Sequence, residues 1–353
     1  MKIVIIGGAG FIGINAVYSF LEKGHEVTIV DNLSRKGSAY NLQELQKKHQ
    51  VPFHEIDIRD AERMKDFFAN IGPIDGVLLL AGQVAVTTSV TNPREDFEIN
   101  AMGTFNVLEA VRLSGQKPLL LYSSTNKVYG KMDDLAIAEF DTRYNYRDLT
   151  TGIPETRPLD FYSPYGCSKG TGDQYVRDYS RIFGIPTVVF RQSCIYGPNQ
   201  FGIEDQGWVA WFTIATLMER DITIYGDGKQ IRDVLFVQDL VDLYEKAFQN
   251  RAVCAGKIYN VGGGPAFTLS LNELIAILEK RFGRTIARKT SDWRPGDQKV
   301  YVSDISSARK DLGWEPVYDL QAGISAMAEW IENNRDILNH YVFGKPLPSS
   351  LTA

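Results

Sequence analysis

The amino-acid sequence predicts an α/β protein: a doubly wound parallel sheet with a smaller, partly interleaved C-terminal lobe. Three observations support that expectation. Short apolar runs alternate with helical patterns through the first half of the 353 residues, a glycine-rich turn joins the first run to the first helix, and the alternation fails after about Tyr196. Parallel neighbours need crossover helices, and helices on both faces bury the strands, which then read as nearly continuous apolar runs.

Residues 2–6, 26–30, 51–56, 76–80, 118–122 and 186–191 are the expected strands. Directly after the first, Gly13, Ala16, Val17, Phe20 and Leu21 follow the three-four spacing of an amphipathic helix. Ser163 is a good N-cap and Pro164 suits the first helical position, so another helix starts there. Residues 131–160 are polar and turn-rich, as expected of an ordered excursion near a site. Past Tyr196 come loops rich in Gly, Pro, Gln and Asp and an aromatic helix over 208–218. Regular pattern returns at 233–247 and 257–261, before a terminal helical region. On this reading residues 1–195, with 230–262 interleaved, form the first domain. Residues 196–229 and 263–353 form the second lobe.

Composition narrows the function. A net charge of −5 and a pI near 5.5 provide no basic face for nucleic acid. No stretch approaches the ~18 consecutive apolar residues of a membrane span. Met1-Lys2 leads straight into a strand and then glycines, unlike a secretory signal. Three widely spaced cysteines, Cys167, Cys194 and Cys254, fit reduced thiols and a cytoplasmic location. Four histidines without ligand spacing argue against a metal site.

The glycine turn carries the first chemical signal. Gly7, Gly10 and Gly13 follow a strand and open a helix, where backbone N–H groups can meet a pyrophosphate, with Phe11 and Ile12 in the first turn. Asp31 ends the second strand, where a carboxylate accepts from ribose hydroxyls and repels a 2′-phosphate. The expected cofactor is therefore NAD, in a Rossmann-type first domain. Asn32, Ser34 and Arg35 follow; a guanidinium at Arg35 argues partly the other way, toward NADP. Asp57 and Ile58 are placed at the adenine, and Leu80, Ala81 and Gln83 along the pyrophosphate and ribose. Asn100 either contacts the cofactor or braces a helix.

Tyr165 and Lys169 stand four apart, on one helical face. A phenol with an ordinary pKa of about 10 is a poor base at neutral pH, and a nearby ammonium lowers it. With the hydroxyl cluster Ser123-Ser124-Thr125, the pair describes a base that removes an alcohol proton while a nicotinamide takes the hydride.

These motifs, with Val128-Tyr129-Gly130, Phe190-Arg-Gln-Ser193 and Gly228-Lys-Gln-Ile-Arg-Asp-Val234, resemble the extended short-chain dehydrogenase/reductases that act on nucleotide sugars. Within that family the resemblance runs to epimerases acting at carbon 2 of a CDP-linked dideoxyhexose. It implies catalysis by Thr125, Tyr165 and Lys169, cofactor contacts that include Ser123, and a homo-oligomer. It implies Arg232 and Arg294 at the nucleotide diphosphate, Asp297 on the nucleotide ribose and Tyr225 near the base. It places Gln83, Thr125, Asn126, Lys127, Gln192, Ser193, Gln206 and Trp208 around the substrate. Taken singly, each arginine also fits a surface ion pair, and Trp208 also fits plain core. Dehydratases of the family carry an acidic pair after the active-site threonine; here Asn126 and Lys127 stand there, which disfavours elimination. A 4-epimerase or net dehydrogenase on the same scaffold, and a NAD-binding regulatory protein, stay open at this point.

Overall fold

In the first strand, β1 (Lys2–Ile6), successive side chains go to opposite faces. Ile3 and Ile5 enter one apolar layer and Val4 and Ile6 the other, all fully buried. This is why the run is continuously apolar. The computed structural model describes residues 1–294 and 296–347. Six further strands join β1: β2 (Glu26–Asp31), β3 (Phe53–Glu55), β4 (Gly76–Leu79), β5 (Leu119–Thr125), β6 (Thr187–Gln192) and β7 (Ile258–Val261). All neighbours are parallel, in the order β7-β6-β5-β4-β1-β2-β3. The expected doubly wound sheet is present. Its strand order reverses between β1 and β4, and the crevice outside their carboxyl ends is where such sheets take ligands.

Helices Phe11–Glu22 and Val237–Gln249 cover one face through Val17, Phe20, Leu240 and Tyr244. Helices Ala61–Asn70, Thr104–Leu113 and Pro164–Phe183 cover the other through Met64, Phe68, Leu108 and Val176. A separate apolar cluster joins helices Trp208–Leu217, Leu271–Phe282 and Leu320–Asn333, with Phe212, Leu274 and Ile331 buried. Strand Ile231–Phe236 runs beside Cys194–Tyr196 and leads into the helix that packs on the first domain. The excursion at 131–160 holds a small hairpin, Ile137–Glu139 with Tyr144–Tyr146, and packs on Ile231 and Val300.

Two strands differ from expectation in instructive ways. The third run yields only Phe53–Glu55: Pro52 has no N–H to donate, although its carbonyl still accepts from Ile29 at 2.9 Å. The fifth continues past Tyr122 through Ser123, Ser124 and Thr125, which pair with Phe190, Arg191 and Gln192. Hydroxyls survive in this strand because each finds an acceptor: Ser123 in Gln192, Thr125 in Asn126, and Ser124 in a buried ion pair. Arg191 makes two bonds to Asp173 at 2.9 and 3.0 Å, and the Ser124 hydroxyl donates to Asp173 at 2.7 Å. Arg191 also donates to the Tyr129 hydroxyl, which donates to Asn260 on β7.

Replacing Asp173 with Asn strands the guanidinium, since neither partner exceeds 2 % exposure. The expected cost is about 3–5 kcal/mol in urea unfolding, with much of it recovered by the D173L/R191M double variant. An unchanged midpoint in D173N would show that the pair is structurally idle.

Candidate active site

Gly7 sits just past β1 at φ +88°, and a Cβ there would lie 2.6 Å from the Ala81 backbone nitrogen, so no larger residue fits. A Cβ on Gly13 would collide with the Gly7 carbonyl, because the helix packs on the turn it leaves. Gly10 differs. Its nearest obstacle is that carbonyl at 3.3 Å, so this glycine keeps a cradle open. No side chain caps helix Phe11–Glu22, and its first turn holds no acidic residue. Its leading N–H groups and positive dipole end therefore form an anion site that fits a dinucleotide's pyrophosphate.

Asp31 is buried beside this turn. One carboxylate oxygen accepts from Ala9 N–H at 3.0 Å and the other from Leu33 N–H at 2.8 Å, so the residue also braces the glycine loop. Burial raises its pKa, against the pull of those donors. Asn32 donates to Asp57 at 2.8 Å and accepts from Ser34, while Arg59 closes on Asp57 and holds its carboxyl down at about 2. Phe11, Ile12, Ser34, Arg35, Ile58, Leu80, Ala81 and Gln83 line the same cleft.

Three expectations change here. The Arg35 guanidinium reaches across the cleft mouth to the Gln206 side-chain oxygen. Gln206, expected at the sugar, lines the cofactor cleft with Asn199, Gln200 and Phe201 of the same loop. That loop is tied down where Asn15 donates to the Pro198 carbonyl at 3.0 Å, and the Phe201 ring rests on Gly37. Asn100 stands behind the cleft, in the π-helical turn Glu98–Gly103. It clamps the backbone of Gln83 from both sides, at 2.9 and 3.0 Å, and so braces the loop after β4.

Thr125 closes β5, with its hydroxyl donating to Asn126 at 3.3 Å and accepting from the Lys127 N–H at 3.2 Å. Tyr165 lies in the first turn of helix Pro164–Phe183, whose N-cap Ser163 accepts from Gly166. Ser89 receives the Tyr165 N–H at 3.1 Å, and the Thr125 hydroxyl is near enough to the phenol to oppose the rise in its pKa. One turn on, the Lys169 ammonium donates to the Ser123 carbonyl at 2.5 Å and lies 4.4 Å from the centre of the Tyr122 ring. Ser123 in turn donates to Gln192 at 3.1 Å. Burial pushes the Tyr165 phenol up to about 12, with Thr125 and Arg35 opposing the rise and Asp96 adding to it. Burial lowers Lys169 itself to about 8. The Lys169 ammonium, expected to act on the phenol, donates its hydrogen bond to the Ser123 carbonyl, and Thr125 and Arg35 oppose the effect of burial.

The residues expected around the substrate separate into groups. Arg232 and Lys127 both approach one oxygen of Asp297, at 2.7 and 4.0 Å, so Asp297 answers cations where a ribose contact was expected. Arg294 pairs with Asp205 at 3.1 Å and lies 3.8 Å over the Tyr225 ring. Ser193 donates to the Asp233 carbonyl and Gln192 to the Tyr244 hydroxyl. Trp208 packs on Phe212 and donates to the Cys194 sulfur at 3.3 Å, a core environment. Ser89, Asp96, Asn199 and Phe201 escaped the sequence reading.

The profile described as GDP-mannose 4,6 dehydratase matches residues 4–327. The chain belongs to this family of extended short-chain dehydrogenase/reductases. It is 43% identical to a CDP-paratose 2-epimerase of Salmonella typhi, over 94% of this chain and 99% of the relative. It is 31% identical to a dTDP-glucose 4,6-dehydratase of Escherichia coli over 95% of each. A UDP-glucuronic acid 4-epimerase from Bacillus cereus, solved with UDP-glucuronic acid and NAD, superposes with a TM-score of 0.80. It is 26% identical, covering 94% of this chain and 99% of its own. The family's members thus span epimerases and dehydratases, and homology alone leaves the reaction divided between them.

Tyr165→Phe is expected to cut turnover by about 10²–10⁴-fold while NAD affinity, measured by fluorescence titration, stays near wild type. Activity within a few-fold of wild type would remove Tyr165 from proton transfer. Asp31→Ser has two expected effects: weaker NAD with relatively better NADP binding, and a loss of about 1–3 kcal/mol because two N–H groups lose their acceptor. An unaltered cofactor preference would leave Asp31 with its bracing role alone.

Proposed function

We propose that the protein is an NAD-dependent epimerase that inverts carbon 2 of a CDP-linked dideoxyhexose, converting CDP-paratose to CDP-tyvelose. One observation carries the reading: Thr125 and Tyr165 meet at the carboxyl end of β5 with Asn126 and Lys127, and no acidic pair, in the next two positions. The 43% identity to a 2-epimerase supports the choice of carbon and sugar.

Carbon 2 of such a sugar has no neighbouring carbonyl to acidify its hydrogen, so direct deprotonation faces a high barrier. Oxidation avoids it. The glycine turn and Asp31 would hold NAD along the cleft, where it would supply a positively charged, reversible hydride acceptor. The positive charge of bound NAD would pull the Tyr165 phenol down from the value burial sets, and as the phenolate Tyr165 takes the proton from the carbon 2 hydroxyl and later restores it, with Thr125 close by to stabilise the phenolate. Lys169 keeps Ser123 and the end of β5 in place. The planar keto sugar turns in the pocket and is reduced from its other face, with no net redox change. Elimination would need an acid beside Thr125 to expel a hydroxyl. Asn126 cannot supply a proton, and Lys127 puts a cation where an acidic pair would have its second carboxyl.

Inversion at carbon 4 is the second reading, because the same three residues serve it and a Bacillus cereus relative is a 4-epimerase. We further take the protein to be cytoplasmic, on its three free cysteines. We take it to pair with a second copy through the exposed Leu113, Tyr175, Ile182 and Phe183 on two packed helices.

The expected outcome of turnover in heavy water is interconversion of the carbon 2 epimers with no deuterium at carbon 2, followed by proton NMR. Solvent label at that carbon would eliminate hydride return, and inversion at carbon 4 would keep the mechanism but change the substrate.

A further inference from the structure

Lys127 and Arg232 come from distant stretches of the sequence and converge on a single carboxylate oxygen. Arg232 stands 2.7 Å from Asp297 Oδ1 and Lys127 4.0 Å from the same atom, so two cations share one anion. Their side chains are only 17 % and 9 % exposed, for Lys127 and Arg232 respectively. Among the described residues, the Lys127 ammonium also donates to the Gly296 carbonyl, at 3.2 Å. An entering anion meets excess positive charge on donors already withdrawn from water, where charge-assisted bonds are strongest.

Lys127 is also tied to the reaction centre. Its backbone N–H donates to Thr125 Oγ1 at 3.2 Å, so the ammonium is held within one side-chain length of the hydroxyl that serves the sugar. The chemistry of the substrate gives this position meaning. In a nucleotide sugar the diphosphate hangs on carbon 1. Carbon 2 is bonded to carbon 1, whereas carbon 4 lies across the ring. A site that oxidises carbon 2 must therefore admit the sugar-linked phosphate close to the catalytic hydroxyls, and a site for carbon 4 keeps it away.

We propose that Lys127, together with Arg232, binds the sugar-linked phosphate of the nucleotide diphosphate and thereby directs the reaction to carbon 2. The proposal rests on the carbon 2 reading above. A carboxylate at position 127 would repel that phosphate, which sets this site apart from one built for elimination. Burial, with Arg232 close by, lowers the Lys127 ammonium to about 8, while Asp297 and Cys194 pull the other way. The charge is present at neutral pH and is lost as pH rises past that value.

The test uses the full-length protein and nucleotides alone, by calorimetry. The nucleoside diphosphate that binds most tightly among CDP, UDP, dTDP and GDP is compared with its own monophosphate, which lacks the phosphate in question. Wild type is expected to favour the diphosphate by about tenfold or more. K127M should abolish that advantage while leaving monophosphate affinity unchanged, which also shows that the variant is folded. K127R should retain it. In wild type the advantage should shrink between pH about 7 and about 9; in K127M no such slope remains. An undiminished advantage in K127M, equal loss of both nucleotides, or no advantage in wild type would overturn the assignment. Which base binds best tests the cytidine reading separately, and the product NMR tests the carbon.

Discussion

The buried pair of Asp173 and Arg191 is the constraint around which the active site is assembled. Asp173 belongs to the helix that carries Tyr165 and Lys169, and Arg191 to the strand beside β5. Ser124, one residue before the catalytic threonine, donates to the same carboxylate. Helix, strand and hydroxyl cluster are thus locked in register by one fully desolvated contact. Removing either charge would leave the other uncompensated in a low dielectric, which makes the arrangement all-or-none. Precision at Thr125 and Tyr165 follows, because neither can drift without breaking a bond that has no solvent substitute.

Around that rigid centre the charges are arranged in layers. The first lobe offers backbone N–H groups and a positive helix end, neutral donors that suit a permanently bound anion without a strong field. The interleaved strand and the second lobe offer side-chain cations, each already answered by a carboxylate: Arg232 by Asp297, Arg294 by Asp205. A ligand binding there must exchange partners with an internal anion, which discriminates against weak or singly charged competitors. Tyr165 sits between the layers with its phenol held high by burial, so its basicity depends on what fills both sides.

Much of this was legible beforehand. Apolar runs and glycine spacing gave the sheet, the turn and Asp31 because those signals are local: a strand buried on both faces must be apolar, and Gly7 has no alternative at its φ. The Tyr165 and Lys169 spacing placed two residues on one helix face, but spacing carries no information about the third dimension. It could not reveal that Lys169 turns to Ser123, or that burial outweighs any ammonium at the phenol. Nor could it reveal that Gln206 and Arg35, 171 residues apart, meet because the second lobe folds back over the cleft. β5 was read too short because Ser123, Ser124 and Thr125 look like a loop until Asp173 and Arg191 are known to face them.

The edge position of β7 sets an order on biosynthesis. This strand lies at residues 258–261, yet it pairs with β6, and its Asn260 side chain accepts from Tyr129 and donates to the Ile153 carbonyl. A nascent chain leaving the ribosome can form the β3-to-β6 part of the sheet early. It then waits, with an open edge and a partly answered buried arginine, until the linker through the second lobe has been made. Parallel strands exposed in this way are slow to pair and prone to pair wrongly. Truncations ending before about residue 262 should therefore accumulate as aggregates, not as an independent nucleotide-binding half, and the interleaving that unites the two lobes is also what makes the chain dependent on being finished.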